Sequence, residues 1–283
     1  RPGVRVVDQE ITYLETNQTG SYDDVLFALA GEFDLAPNLT LLASYTELFQ
    51  APELAEPFSG AGGNKIVNPL LEPESGENLE IGFRWQNEVY GGVLGLGANL
   101  FDTRLENYIA EVDVPGTTTG ETMDENLGRV KIKGLEASAN YQLGPWDFFL
   151  TYNQSKFDTA DLNTSGVSES FREIGDTTSY EVSYMFEALD LSVSANGQFI
   201  QGKTTSLGAE RKDYSVHNIA ARWNEPFGVS GLSLTGGIDN LFDKTYTSHA
   251  SRTGETVHPV FGPLILNDVE PGRNIKITVA KVF

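Results

Sequence analysis

From Gly272 to Phe283, Ile275, Ile277 and Val279 alternate with Asn274, Lys276, Thr278 and Ala280. A period of two is that of a strand whose two faces meet different surroundings. The rhythm recurs along the chain, and with the turn residues between runs it predicts strands at 4–14, 24–36, 39–50, 77–89, 92–112, 127–143, 146–159, 177–188, 191–205, 212–224, 230–247 and 272–283. Leu79, Ile81, Phe83 and Trp85 share one face, with Glu80, Gly82 and Arg84 on the other; Leu94, Leu96, Ala98 and Leu100, then Leu135, Ala137, Ala139 and Tyr141, repeat the pattern. No segment holds 18 successive apolar residues, so no helix of this chain is predicted to span a membrane. Strands of a transmembrane barrel give no such run, because every second side chain is polar. The predicted fold is all-β, a portion of an antiparallel transmembrane β-barrel with its apolar faces toward lipid.

The connections fall into two kinds that take turns. Pro37-Asn38, Glu88 to Gly92, Gly144-Pro145, Ala188 to Asp190 and Glu225 to Ser230 are short and rich in turn formers, whereas 51–76, 113–126, 160–176 and 248–271 are long. Alternation of this sort puts every long loop on one side, as in barrels with short periplasmic turns and long extracellular loops. The connection at 206–211 is a shorter outer loop. Aromatics gather near the predicted strand ends (Tyr45, Phe49, Trp85, Tyr90, Tyr141, Trp146, Trp223, Phe227, Tyr246 and Phe283), the pattern of interfacial girdles.

Charge narrows the partners. Forty acidic residues against nineteen basic ones give −21, which argues against nucleic acid. There is no cysteine, so no disulfide frames the fold. Arg1 is not an initiator methionine and no export signal follows it, so the chain reads as a carboxy-terminal portion of a longer protein.

The most specific stretch is Ser44 to Gly82, in which Phe49-Gln50-Ala51-Pro52 precedes a glycine-rich run and Asn68-Pro69-Leu70-Leu71 follows it. A second is Asp239-Asn240-Leu241-Phe242-Asp243-Lys244-Thr245-Tyr246 ahead of Glu270-Pro271-Gly272-Arg273-Asn274. In these stretches the chain resembles the TonB-dependent receptors of the Gram-negative outer membrane, and among them the haem and hemoprotein receptors, whose FRAP and NPNL boxes bracket a large extracellular loop. The resemblance implies about twelve strands of a 22-stranded barrel, with the plug domain and TonB box absent here. It also implies active uptake of haem or another iron chelate, such as a siderophore, with energy from the TonB complex. Haem or the ferric chelate is then transported ligand, with no tightly bound cofactor, and the surroundings are outer-membrane lipid and lipopolysaccharide. Independently, prolines cannot donate to a strand ladder, so Pro52 and Pro57 on one side and Pro69 and Pro73 on the other mark where strands give way to loop.

The candidate substrate-binding residues are therefore Phe49, Gln50, Ala51, Pro52, Asn68, Pro69, Leu70 and Leu71. Haem receptors place an axial histidine between the two boxes, but residues 53–67 contain none. Of the three histidines, His217 falls in a predicted strand, which leaves His249 and His258 in the last long loop as candidate iron ligands. No nucleophile motif accompanies a histidine and no dinucleotide or P-loop fingerprint is present, so an enzyme is not expected. A passive twelve-stranded porin and a soluble all-β binding module are the competing readings.

Overall fold

Alternation is realised as one continuous meander. The computed structural model describes the chain apart from residues 14–17, 53–64, 67, 69, 117–120, 164–166, 168–172, 207, 252, 259–261 and 283, and describes only the backbone at 13, 18, 253–258 and 262–267. Twelve antiparallel strands form a single sheet in chain order: β1 Pro2–Tyr13, β2 Gln18–Ala36, β3 Leu39–Gln50, β4 Glu74–Val89, β5 Gly92–Glu106, β6 Val130–Leu143, β7 Trp146–Asp158, β8 Thr177–Phe186, β9 Leu191–Ile200, β10 Tyr214–Asn224, β11 Leu232–Asp239 and β12 Asn274–Lys281. Each strand pairs with its neighbours in sequence, and among the described residues β1 and β12 are each paired on one side only.

Register carries the apolar face from strand to strand. Leu41 opposes Phe83, Phe83 opposes Ala98, Ala98 opposes Ala137, and farther on Ala195 opposes Ile219, Ile219 opposes Ile238 and Ile238 opposes Ile275. A slip of one residue would turn that whole set to the other side. Leu41, Phe83, Ile219 and Ile275 of this set are exposed, as are Phe27, Ile81, Leu100 and Ile277 on the same face. A soluble sheet would bury this much contiguous apolar surface, so the face is built for lipid. The opposite face is polar: Asn78 donates to Glu80 at 2.6 Å, Asn153 to Glu136 at 3.2 Å and Asn218 to Asn196 at 2.9 Å.

Aromatics form two bands on the outer face. At the tight-turn end Trp146 stacks on Phe148 and meets Tyr184 edge-on, with Trp223 against Phe227. At the loop end Phe199 and Phe242 pack around His217, whose Nδ1 lies 2.9 Å from the Tyr180 hydroxyl. His217 is thus a wall residue, as its place in a predicted strand implies.

The departures from the predicted elements lie at the loop end. The strand expected over 92–112 breaks at Asn107, which has φ 56°, and its remainder, Ile109–Asp113, forms a hairpin with Thr122–Asn126. The strand expected over 230–247 stops at Asp239, because Asn240 and Asp243 adopt positive φ. The strand expected over 191–205 ends at Ile200, and Lys203–Thr204 pairs instead with Glu210–Arg211. Within the last long loop, Thr253–His258 and Gly262–Asn267 make a further hairpin.

Candidate functional site

Strand β3 delivers the first box to the rim. Phe49 packs on a cluster of Ile11, Tyr22 and Ala51, and Pro52 is fully buried behind it. Gln50 stays exposed at the end of the strand.

The second box is held by a neighbouring loop. Asn68 donates through Nδ2 to the Asp124 carbonyl at 2.8 Å and accepts from the Leu70 N–H at 3.1 Å. Asn126 accepts from the Glu72 N–H at 2.9 Å and donates back to the Glu72 and Asn107 carbonyls at 2.9 and 2.8 Å. Lys65–Ile66, from within the bracketed loop, adds a parallel strand to Thr122–Asn126, so the first two long loops share a three-stranded sheet. Lys65 seals it, with its ammonium 2.7 Å from Asp124 and 3.3 Å from Glu111. Burial pushes the Asp124 carboxyl above its usual value, and Lys65 offsets this only in part. For Lys65 burial alone would lower the pKa, but the hydrogen bond and charge of Asp124 hold it above the ordinary lysine value.

This arrangement divides the second box. Leu71 is buried, whereas Leu70 is 83% exposed and stands out from the crown. Pro69 and residues 53–64 lie outside the described residues. Leu70 is thus an exposed apolar side chain on backbone fixed by the Asn68 and Asn126 hydrogen bonds.

The last loop carries a different device. His249 is 2% exposed; its Nδ1 accepts from the Gly175 N–H at 3.1 Å, so Nε2 bears the proton and donates to the Lys212 carbonyl at 2.9 Å. Its ring lies edge-on to Tyr214, which stacks with Tyr246. A Cβ at Gly175 would fall 1.8 Å from the Gln201 carbonyl oxygen, so only glycine admits this approach. With both nitrogens engaged, His249 offers no lone pair to an iron here and acts as a tie between three connections. The backbone of His258 closes the hairpin opposite Gly262, and its side chain lies outside the described residues. Among the described residues no group of three or more acidic, histidine or cysteine side chains is placed to hold a metal.

Sequence reasoning did not find Asp124, Asn126 or the rim cluster in which Glu173 accepts from the Ser206 N–H at 2.6 Å and pairs with Lys203 at 3.3 Å. Their partners are distant in the chain, and polar loop residues carry no periodic signal.

The chain's relatives agree with this architecture. Residues 1–241 match the family model described as TonB dependent receptor-like, beta-barrel. The ferripyoverdine receptor of Pseudomonas aeruginosa is 28% identical over 86% of this chain and 30% of its own length. The hemin receptor of Yersinia enterocolitica is 26% identical over 74% of the chain and 34% of its own. The solved copper transporter OprC superposes with a TM-score of 0.78 at 20% identity, over the whole of this chain and 44% of that one. The chain therefore spans about a third of the length of the curated relatives it matches, and all three are transporters or receptors rather than enzymes.

Proposed function

This chain belongs to the TonB-dependent receptor-like β-barrel family of the Gram-negative outer membrane, and on that premise we propose that it forms part of the wall and ligand-binding crown of a receptor for a ferric chelate, imported with TonB-derived energy. The observation that carries this reading is the joined crown. Two long loops are bound into one sheet through Lys65–Ile66 and Asn68, with Leu70 presented outward. A passive pore has no need of a braced, outward-facing recognition loop, whereas a receptor that must select its cargo does.

Of the two iron cargoes named among the relatives, haem and a ferric siderophore, one geometric fact favours the siderophore. A siderophore brings its own iron ligands and needs only contacts to its periphery. Haem needs an axial donor, and the buried His249 is already bound on both nitrogens. Leu70 supplies peripheral apolar contact in either case.

The test uses the full-length receptor that contains this chain, expressed in iron-starved cells. Radio-iron delivered as a ferric siderophore is expected to accumulate only when TonB is intact, and Leu70→Asp is expected to weaken binding about tenfold, the equivalent of 1.4 kcal/mol, with unchanged yield of folded protein. Accumulation that ignores TonB would support the porin instead. Haemin uptake abolished by His258→Ala and unaffected siderophore binding would move the assignment to haem.

A further inference from the structure

The sheet shared by the first two long loops brings three ionisable side chains to one face. Lys65 opposes Thr122 in the parallel pairing of Lys65–Ile66 with Thr122–Asn126, and Asp124, two residues on, lies on the same side as Thr122. Glu111 opposes Asp124 in the antiparallel hairpin on the other flank. Asp124 therefore stands on the central strand, with an ammonium from one edge strand and a carboxylate from the other. The Lys65 nitrogen is 2.7 Å from Oδ2 of Asp124 and 3.3 Å from Oε2 of Glu111.

Stability alone is a poor account of this cluster. Two acids against one lysine leave an excess of negative charge, and Asp124 is only 3% exposed, so its desolvation opposes what the ion pair gains. The same burial favours the carboxyl over the carboxylate at Asp124. Lys203–Glu173 is the contrast. Its acid is also buried, but the pair is 3.3 Å apart, the Ser206 N–H occupies the carboxylate, and among the described residues no second acid pairs with Lys203. Of the two, only the first joins a lysine nitrogen, a buried carboxyl and a second carboxylate placed to move protons. A nitrogen 2.7 Å from a carboxylate oxygen is one carbon–oxygen bond from the carbon itself, close to the separation from which attack begins.

We propose that Lys65 and Asp124 condense into an intramolecular amide, with Glu111 as proton carrier, and that this bond locks the first two long loops together. The proton of the ion pair passes from Nζ to the Asp124 carboxylate, which leaves an amine beside a carboxylic acid. The Nζ lone pair attacks Cγ, the carbon–nitrogen bond forms, and the carbonyl electrons move onto oxygen. Glu111 takes a proton from the nitrogen and delivers it to the hydroxyl, which leaves as water while the carbonyl is restored. An ammonium and a carboxylate become one amide and one water, and Glu111 ends as it began. Between free molecules water drives this reaction backward; held in place and partly dehydrated, the pair has an effective concentration on the order of 10⁵ M, which drives it forward. Chains that have not reacted keep the ion pair and its titration. The ring so closed contains β4 and β5, in a chain that has no cysteine for a disulfide. The bond concerns the covalent structure of the crown and does not depend on the cargo.

The test uses the full-length receptor. Intact-mass spectrometry is expected to find the folded protein lighter than its mature sequence by one water, and tryptic digestion to release a branched peptide joining the segment of Lys65 to that of Asp124. Lys65→Arg, which keeps the charge, is expected to show full mass and no branch, whereas Lys203→Arg reacts like the parent. In freshly refolded receptor Glu111→Gln is expected to slow bond formation about a hundredfold, and Glu111→Asp to recover part of the rate. The parent measurement needs no variant, so a substitution that fails to fold leaves the test intact. Parent protein of full mass with no branch after prolonged incubation, or a missing water that persists in Lys65→Arg, would overturn the proposal. Glu111→Gln reacting at the parent's rate would overturn the role of Glu111.

Discussion

Two junctions carry the motifs of this chain, and they use asparagine for different ends. At the first, Asn68 ties a loop to a loop, and one neighbour of the tie, Leu70, is left for solvent. At the second, Asn240 ties a strand end to a strand start. Its backbone N–H donates to Asn218 at 2.9 Å, its side chain bridges the Lys244 N–H and carbonyl, both at 2.8 Å, and it reaches the Pro271 carbonyl at 3.2 Å. Asp243 accepts from the Arg273 N–H at 2.8 Å, and Gly272 leaves room for it, since a Cβ there would lie 2.8 Å from that carboxylate oxygen. The second junction is entirely architecture; the first is architecture that presents a contact. A motif of equal clarity in sequence therefore does not imply equal access to a ligand.

The contrast is broken or sharpened most strongly at Asn240. Replacing it with alanine removes three side-chain hydrogen bonds worth about 1 kcal/mol each and forces a left-handed residue onto a less tolerant side chain, for a loss of about 3–4 kcal/mol. Denaturant unfolding of the full-length receptor checks it. Asn68→Ala is expected to cost about 1–2 kcal/mol locally, seen as faster amide exchange at 70–72 and 122–126 with an unchanged global midpoint. Should the global midpoint fall as far as for Asn240→Ala, the two junctions would be equivalent after all.

The smallest effect is one of pH. Asp124 has its pKa raised on folding, so the folded sheet binds a proton more tightly than the unfolded loop does. Protection of amides 122–126, corrected for intrinsic exchange, should rise as pH falls through the window just above 3.8, the ordinary aspartate value, and decline as pH rises through it. Asp124→Asn should flatten the response. Protection that falls on acidification would mean that the Lys65 ion pair outweighs burial.

The wall was legible because lipid on one side and a polar interior on the other impose the same two-residue rule on every strand. Leu39–Gln50 begins and ends where the alternation does, and each of the twelve predicted strands has its counterpart in the sheet. Beyond the membrane both sides of a strand meet water and that rule lapses. Thr253–His258 and Gly262–Asn267 thus read as loop, and Ile109–Asp113 read as a continuation of β5, although Asn107 turns the backbone between them. For the candidate residues, the sequence marked where strands give way to loop but not what each side chain touches. Ala51, Pro52 and Leu71 turn inward, and the partners of His249 are backbone groups 74 and 37 residues away. Backbone partners leave no mark in a sequence.

The tight turns at the other end have a consequence of their own. Tyr90 and Gly91, both at positive φ, close β4 onto β5 in two residues, and Gly144-Pro145 does the same for β6 and β7. Each hairpin is thereby zipped from its closed end, and strand alignment is counted from there. The opposite ends are free to differ in length, because lengthening a connection costs only slowly increasing entropy. The crown rests on a fixed chassis, and a segment grafted between Gln50 and Glu74 can change length without shifting a single rung of the ladder below it.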